Sequence, residues 1–375
     1  MKKISVLVLA IIITICIPVK KCYGKTDVDS LVDGYDYSDI DNTANDYTDY
    51  HIDFKEMIEN IIGNNGDFFT VKNYINSISS MIKANENAVI QIVIMGLLSA
   101  LLKTISIGSY TKQINETSQM ILSIALILVL TAVFSGAVIT ATDVLKAMVH
   151  FYEAVCPVFF PAVVMVGGNI SAAAYYEIVM MMIGVINVVF KNILIKLNGI
   201  YMLLGIADSI TEDSHYSKAC ELIEGVIKYV TKTALVVFLG LNGIKGMIAP
   251  YLDSEKNNIL YRSLSVIPGV GNTALAVSKT MLGAGAIVKN SIGVAAIIVI
   301  VILSAMPVIK LVVLVVLYKA IAAFIEPVAD KGIVSAVNLC SRTIGNLLQI
   351  ILVTIALLIM TIGIICVTTN INYGT

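Results

Sequence analysis

The sequence predicts an all-α protein, a polytopic integral membrane helical bundle of about seven or eight transmembrane helices, some of them broken. An N-terminal signal peptide and a short extracytoplasmic segment precede the bundle. Three observations predict this class. Of 375 residues, 58% are hydrophobic and only 14% charged, where a soluble globular chain carries about a quarter charged residues. Mean hydropathy is +0.89. Uncharged apolar runs recur that reach the roughly 20 residues a helix needs to cross a bilayer. The formal net charge of -1 supplies no basic face, so no nucleic-acid partner is expected.

Residues 1–24 read as the signal peptide: Met1-Lys2-Lys3, an apolar run from Ile4 to Ile17, then Pro18 and Lys20-Lys21-Cys22-Tyr23-Gly24. A charged start, a short apolar core and a small residue at the end are its three parts. Cys22 and the two lysines make a poor cleavage site, so an uncleaved first anchor is the alternative; either commits the next segment to the far side of a membrane. Residues 25–53 hold nine aspartates interleaved with Tyr35, Tyr37, Tyr47 and Tyr50, and such low hydrophobicity with like charge predicts an acidic disordered segment. The aspartates lack the D-x-D-x-D-G spacing of a calcium loop.

Residues 54–85 predict two amphipathic helices. Phe54, Met57, Ile58, Ile61 and Ile62, then Val71, Ile75, Ile78 and Ile82, recur three and four apart on either side of Gly63-Asn64-Asn65-Gly66. The multispanning domain covers residues 86–370. Thr117–Thr142, Thr343–Val367 and Asn290–Ile309 are long enough to cross, and Ala88–Ile107, Val226–Ile248 and Leu311–Ile325 cross if their lysines snorkel to the headgroups. Two regions predict broken helices. Ala154–Tyr176 contains Pro157, Pro161 and Gly167-Gly168, and the overlong Ile178–Ala207 is interrupted by Lys191 and Lys196. Proline frees a carbonyl that lipid cannot satisfy.

Placing residues 25–84 outside puts Lys103, Lys112, Lys256, Arg262, Lys279, Lys331 and Arg342 on the cytoplasmic side, as the positive-inside rule requires. The connection from Lys191 to Glu224 then lies outside. The blocks after Pro161 and Pro268 share small-residue runs, a pattern that can mark inverted repeats; their spacings differ, and the Gly/Ala richness of membrane sequence accounts for the likeness better.

Chemistry-bearing motifs fail on context. Gly269-Val-Gly271-Asn-Thr-Ala274 fits the dinucleotide fingerprint, but Pro268 precedes it and no Asp or Glu occurs between Glu255 and Glu326 to take a ribose. The three histidines form no metal-ligand spacing, Cys156, Cys220, Cys340 and Cys366 form no C-x-x-C pair, and no serine sits in G-x-S-x-G. No cofactor, no metal site and no enzyme activity are expected. What remains are ionisable residues at membrane depth: His150, Glu153, Glu177, Lys191, Lys310, Lys319 and Glu326. They read either as lining an aqueous path or as boundary residues, with Lys319 and Glu326 paired on one helix. Glu153 and Lys310 stand out because each abuts a proline: Pro157 and Pro161 in one case, Pro307 in the other.

The block Ser265-Val-Ile-Pro-Gly-Val-Gly-Asn272, with Val288-Lys-Asn-Ser-Ile-Gly293, Pro307-Val-Ile-Lys-Leu311 and Tyr318-Lys-Ala-Ile-Ala-Ala-Phe-Ile-Glu-Pro327, resembles the stage III sporulation protein AE family from about Ala88 to the C-terminus. The resemblance implies a non-enzymatic, multi-pass component of the trans-envelope, secretion-like channel between mother cell and forespore, required for sporulation and for late forespore sigma factor activity. It also implies placement in the mother cell membrane around the engulfed forespore. The implied partners are the other stage III A sporulation proteins and, across the intermembrane space, stage II sporulation protein Q, besides the lipid bilayer and further copies of the chain. The family has no established catalytic residues to carry over. Candidate pore or packing residues are Glu153, Pro157, Pro161, Glu177, Pro268, Gly269, Gly271, Lys310 and Glu326. Co-assembly is expected through the small-residue faces Gly283-Ala-Gly285 and Gly293-Val-Ala-Ala296. The alternative is a free-standing secondary transporter with Glu153, Glu177 and Lys310 in its path.

Overall fold

The computed structural model describes residues 25–48, 51–63, 79–105, 111–166, 170–210, 215–240 and 271–368. The signal peptide, most of the second amphipathic helix, and Pro268 and Gly269 lie outside them. Three short helices come first, α1 (Lys25–Val32), α2 (Ser38–Asp46) and α3 (Phe54–Gly63). The bundle comes next: α4 (Glu86–Ile105), α5 (Thr111–Met165), α6 (Ile170–Val189), a π-helical turn (Phe190–Leu194), α7 (Ile195–Ile210), α8 (217–240), α9 (Gly271–Ile325) and α10 (Lys331–Thr368). Among the described residues there is no strand.

Four stretches are long and apolar enough to cross a membrane: Thr117–Met165, Met181–Ser209, Gly283–Ile325 and Lys331–Cys366. They absorb segments that the sequence divides more finely. Between the predicted spans Thr117–Thr142 and Ala154–Tyr176, the chain is an amphipathic helix. Val144, Leu145, Met148, Phe151, Tyr152 and Val155 are buried at helical spacing, while Asp143, His150 and Glu153 are exposed on the other face. One helix therefore runs 55 residues, through Pro157 and Pro161, and ends just before Gly167-Gly168. Asn290–Ile309 and Leu311–Ile325 likewise merge in α9, which passes through Pro307. The predicted interruption at Lys191 takes the form of the π turn, with Phe190 and Leu194 buried and Lys191 exposed. One extra residue in the turn rotates the lysine outward without ending the helix.

Helix contacts set an alternating order. A Cβ on Gly285 would lie 3.3 Å from Val166, and one on Gly293 3.4 Å from Phe159 and within reach of Cys366, whereas Gly96 abuts Ile325 and Ala329. Gln119 meets Ser99 at 3.2 Å. Hence α5 runs antiparallel to α4 and α9, and α10 antiparallel to α9. The α6–α7 rod descends beside α10, with Gly205 against Leu339 and Ser209 against Gly332 and Ser335. Ile105 at the end of α4, Thr111 at the start of α5 and the 326–331 connection thus share one end of the bundle, as the charge distribution predicts. Ser209 shares it too, which corrects the expectation that the whole Lys191–Glu224 connection lies opposite Lys331.

The small-residue faces expected to drive co-assembly are spent inside the chain. Gly283, Ala284, Gly285, Gly293, Ala295 and Ala296 are all buried, and the absence of side-chain bulk lets α9 approach α5 and α10 closely.

The acidic segment, expected to be disordered, holds α1 and α2 and is docked with α3 onto the end of the bundle opposite Lys331. Three of its aspartates take up amides at helix starts. Asp36 Oδ1 accepts the Ser38 amide (3.0 Å), Asp53 Oδ1 that of Glu56 (2.9 Å) and Asp41 Oδ1 that of Phe54 (2.7 Å). Asn45 pins Ile52 through both its amide N–H and its C=O (2.7 and 3.0 Å). Val28, Val32, Tyr37, Ile40, Ala44, Phe54 and Ile58 are the apolar residues buried between those caps. Tyr47 reaches His150 on α5 at 2.8 Å and Tyr35 reaches Met165 Sδ at 3.9 Å.

At Gly332 an added Cβ would sit 2.5 Å from the backbone oxygen of Ser209, but at Gly136 it meets nothing within 4 Å. Gly332→Ala is therefore expected to destabilise the detergent-solubilised protein by about 1–3 kcal/mol. Gly136→Ala should be neutral or slightly stabilising. Paired thermal unfolding curves check both.

Candidate functional site

Glu153, Pro157 and Pro161 recur every fourth residue on α5, and all three are exposed on one face. Each proline removes the amide that would bond the carbonyl four residues earlier, so the carbonyls of Glu153 and Pro157 are freed on that same surface. Lys310 is half-buried on α9 after Pro307, and Glu326 is exposed just past the end of α9. The register of Phe159 beside Gly293 puts Lys310 roughly 17 Å along the axis from Glu153, so the structure does not bring the two favoured charges together. Lys191 and Lys319 are exposed, and among the described residues no ion pair joins Lys319 to Glu326. Gly271 is the first residue of α9, and Glu177 lies on α6 with its side chain outside the described set. Pro268 and Gly269 lie outside the described residues altogether. Among those residues no group of His, Cys, Asp or Glu is arranged to hold a metal.

The polar groups that do meet are at helix contacts. Asn198 of α7 is buried and donates to the carbonyl of Thr343 on α10 (2.9 Å), and Asn346 donates to the Asn198 side-chain oxygen (3.1 Å). Thr343 Oγ1 returns to the Cys340 and Leu339 carbonyls at 2.8 and 3.1 Å. On the α8 side, Tyr201 donates to Glu224 (3.2 Å), which also pairs with Lys228. Ser341 of α10 donates to the Val315 carbonyl of α9 (2.8 Å). Lys289 is fully buried on α9 and donates to the carbonyl of Cys366 (3.2 Å), two residues from the end of α10. An ammonium suits a helix C-terminus, where unbonded carbonyls and the negative end of the dipole collect. This set can hold helices in register, and nothing in it resembles a nucleophile with its base. Sequence reasoning missed Lys289, Asn198 and Asn346. Their signal was a lone polar residue in an apolar helix, and Lys289 stood within the Val288–Gly293 block.

Outside the spans, the docked acidic helices set their own electrostatics. Burial raises the Tyr37 phenol above its usual value, and its hydroxyl donates to the Val32 carbonyl (3.1 Å). A hydrogen bond to Asp33 at 2.7 Å raises the Lys55 ammonium. Burial raises Asp41, against the opposing pull of the Phe54 amide.

Residues 52–369 match the family described as Stage III sporulation protein AE. The chain is 20% identical over 262 residues to the Stage III sporulation protein AE of Bacillus subtilis (strain 168), covering 70% of this chain and 66% of that relative. It thus spans about two thirds of that relative's length. No solved structure matches.

The buried amides and the docked helices each make a measurable difference to stability. Asn198→Ala and Asn346→Ala should each cost about 1–2 kcal/mol in unfolding experiments. The double variant should fall short of the sum by ~0.5–1.5 kcal/mol, since one bond is lost in either case. For the docked helices, both raised groups favour the folded state in their protonated forms. That stability is complete below the ordinary values of 10.0 for Tyr37 and 10.5 for Lys55 and is lost as pH rises through the folded values. A dye pair at Asp39→Cys and Lys146→Cys should keep constant energy transfer at neutral pH and lose it in alkali.

Proposed function

Because the chain belongs to the Stage III sporulation protein AE family, we propose that it is a non-enzymatic, multi-pass scaffold of a trans-envelope channel joining mother cell and forespore. It works there with the other stage III A proteins and, across the intermembrane space, with stage II sporulation protein Q. The observation that carries this reading is the family match over residues 52–369 on a chain whose long apolar helices carry a folded, acidic cap at one end. The cap supports a meeting with partners outside the cytoplasm. The interior supports a scaffold more than a solitary transporter: Glu153, Lys191, Lys319 and Glu326 are on the surface, and the buried Asn198, Asn346, Ser341 and Lys289 bond one helix to another. Any conducting path would therefore be lined between chains.

Deleting the gene in a sporulating host should stop development after engulfment, with loss of late forespore sigma factor activity, and a copy of the wild-type gene should restore it. Mild-detergent purification from sporulating cells should retain stage III A proteins. Normal sporulation in the deletion strain, or substrate flux through vesicles holding this chain alone, would overturn the scaffold reading.

A further inference from the structure

On α5 and α9 the large apolar side chains that face outward fall in one band. On α5 they run from Met120 to Ile139, with Leu128 67% exposed, and on α9 from Val312 to Phe324, which is 73% exposed; Val328 follows in the turn after α9, and the only others among the described residues of α5 are Val164 and Met165 at its far tip, beside Tyr35. α4 adds Ile90, Ile94, Leu97, Leu98 and Leu101, beside the same end of α9. The register set by Phe159 and Gly293 puts Ile139 level with Val312, so two helices running in opposite directions stop exposing apolar surface at one height. Met120 to Ile139 spans about 29 Å of helix, close to the ~30 Å hydrocarbon core of a bilayer.

Beyond that height the surface changes. Among the described residues neither α5 between 140 and 163 nor α9 between 283 and 311 exposes a large apolar side chain. α5 instead exposes Asp143, His150 and Glu153, with Asp143 paired to Lys146 at 3.5 Å. The carbonyls freed by Pro157 and Pro161 open on this stretch, where lipid would leave them unbonded. The acidic helices α1–α3 are docked here, through His150 and Met165. The apolar parts of α9 and α10 at this height are buried in protein, including Ala295, Ala296, Ile351, Leu358 and Ile362.

We propose that the bilayer takes only the Lys331 half of the bundle, and that the α5–α9 face of the other half stands in water as a helical stalk. From Asp143 to Met165 this stalk reaches roughly 33 Å and carries the acidic cap away from the membrane surface. Asn290–Ile309 and Thr343–Val367 are then apolar because they form a protein core, and they are not spans. α6 presents Met181, Val185 and Val188 at the same height, a row that needs cover of its own and is no part of the stalk face. The stalk stands whether or not the assembled protein conducts.

The test is a set of single-cysteine variants of the full chain with its six native cysteines replaced, reconstituted in phosphatidylcholine vesicles with a membrane-impermeant maleimide on both sides. E153C and K146C should label about tenfold faster than L128C, because a thiol held in lipid neither ionises nor meets the reagent. A fluorophore at L128C should be quenched by doxyl groups on the lipid tails, and one at E153C or K146C should not. Size-exclusion profiles like the parent's confirm folding. Slow labelling and tail quenching at both Glu153 and Lys146 would overturn the stalk.

Discussion

The apolar length of α10 has to be covered, and the antiparallel contact with α9 covers most of it. Of the most apolar stretch of α10, 72% is buried, against 22% for that of α5. A helix apolar on every side is stable only in a protein core or in lipid, and here protein supplies the surroundings. The contact depends on the small residues Gly293, Ala295 and Ala296 and is tied by Ser341 to Val315 and by Lys289 to Cys366. Each bond satisfies a polar group that would otherwise be costly in an apolar interior.

The remaining elements are arranged around that pair. α5 closes one side, its amphipathic middle presenting Met148, Phe151 and Tyr152 inward. The α6–α7 rod closes another, and the Asn198–Asn346 bond fixes its register, because a slip of one turn would bury both amides unpaired. The acidic helices cover the end where α5 and α9 would otherwise expose apolar surface. Asp36, Asp41 and Asp53 bond amides at helix starts, and the aliphatic residues pack inward. Glu153, Lys191, Lys319 and Glu326 are on the surface, whereas the buried Lys289 ties α9 to α10.

Fold class, helix content and the family were legible in the sequence, the last through the Pro268, Lys289, Lys310 and Glu326 blocks. Length was harder to read. Uncharged runs mark what lipid would tolerate, so Asp143 to Glu153 read as a break between spans, although the apolar residues there keep helical spacing. The acidic segment misled for a related reason. Nine aspartates dominate its composition, while the buried positions of α1 and α2 are few and their partners lie far along the chain. Nor does composition distinguish a helix sheathed in protein from one sheathed in lipid, so the burial of α10 against its neighbours was not legible from its apolar run. Among the favoured site residues, Glu153 shares an exposed face with Pro157 and Pro161, yet Lys310 stands well away from it, since proximity to a proline says nothing about which helices meet.

The central claim is that α10 is shielded by protein along its outer half. Photoactivatable lipids with a diazirine in the tail, flashed in vesicles holding the intact chain and mapped by peptide mass spectrometry, test it directly. The expected result is labelling of α4 and of Met120–Ile139 in α5, with residues 350–366 of α10 unlabelled. Labelling of 350–366 as heavy as that of α5 would contradict the account.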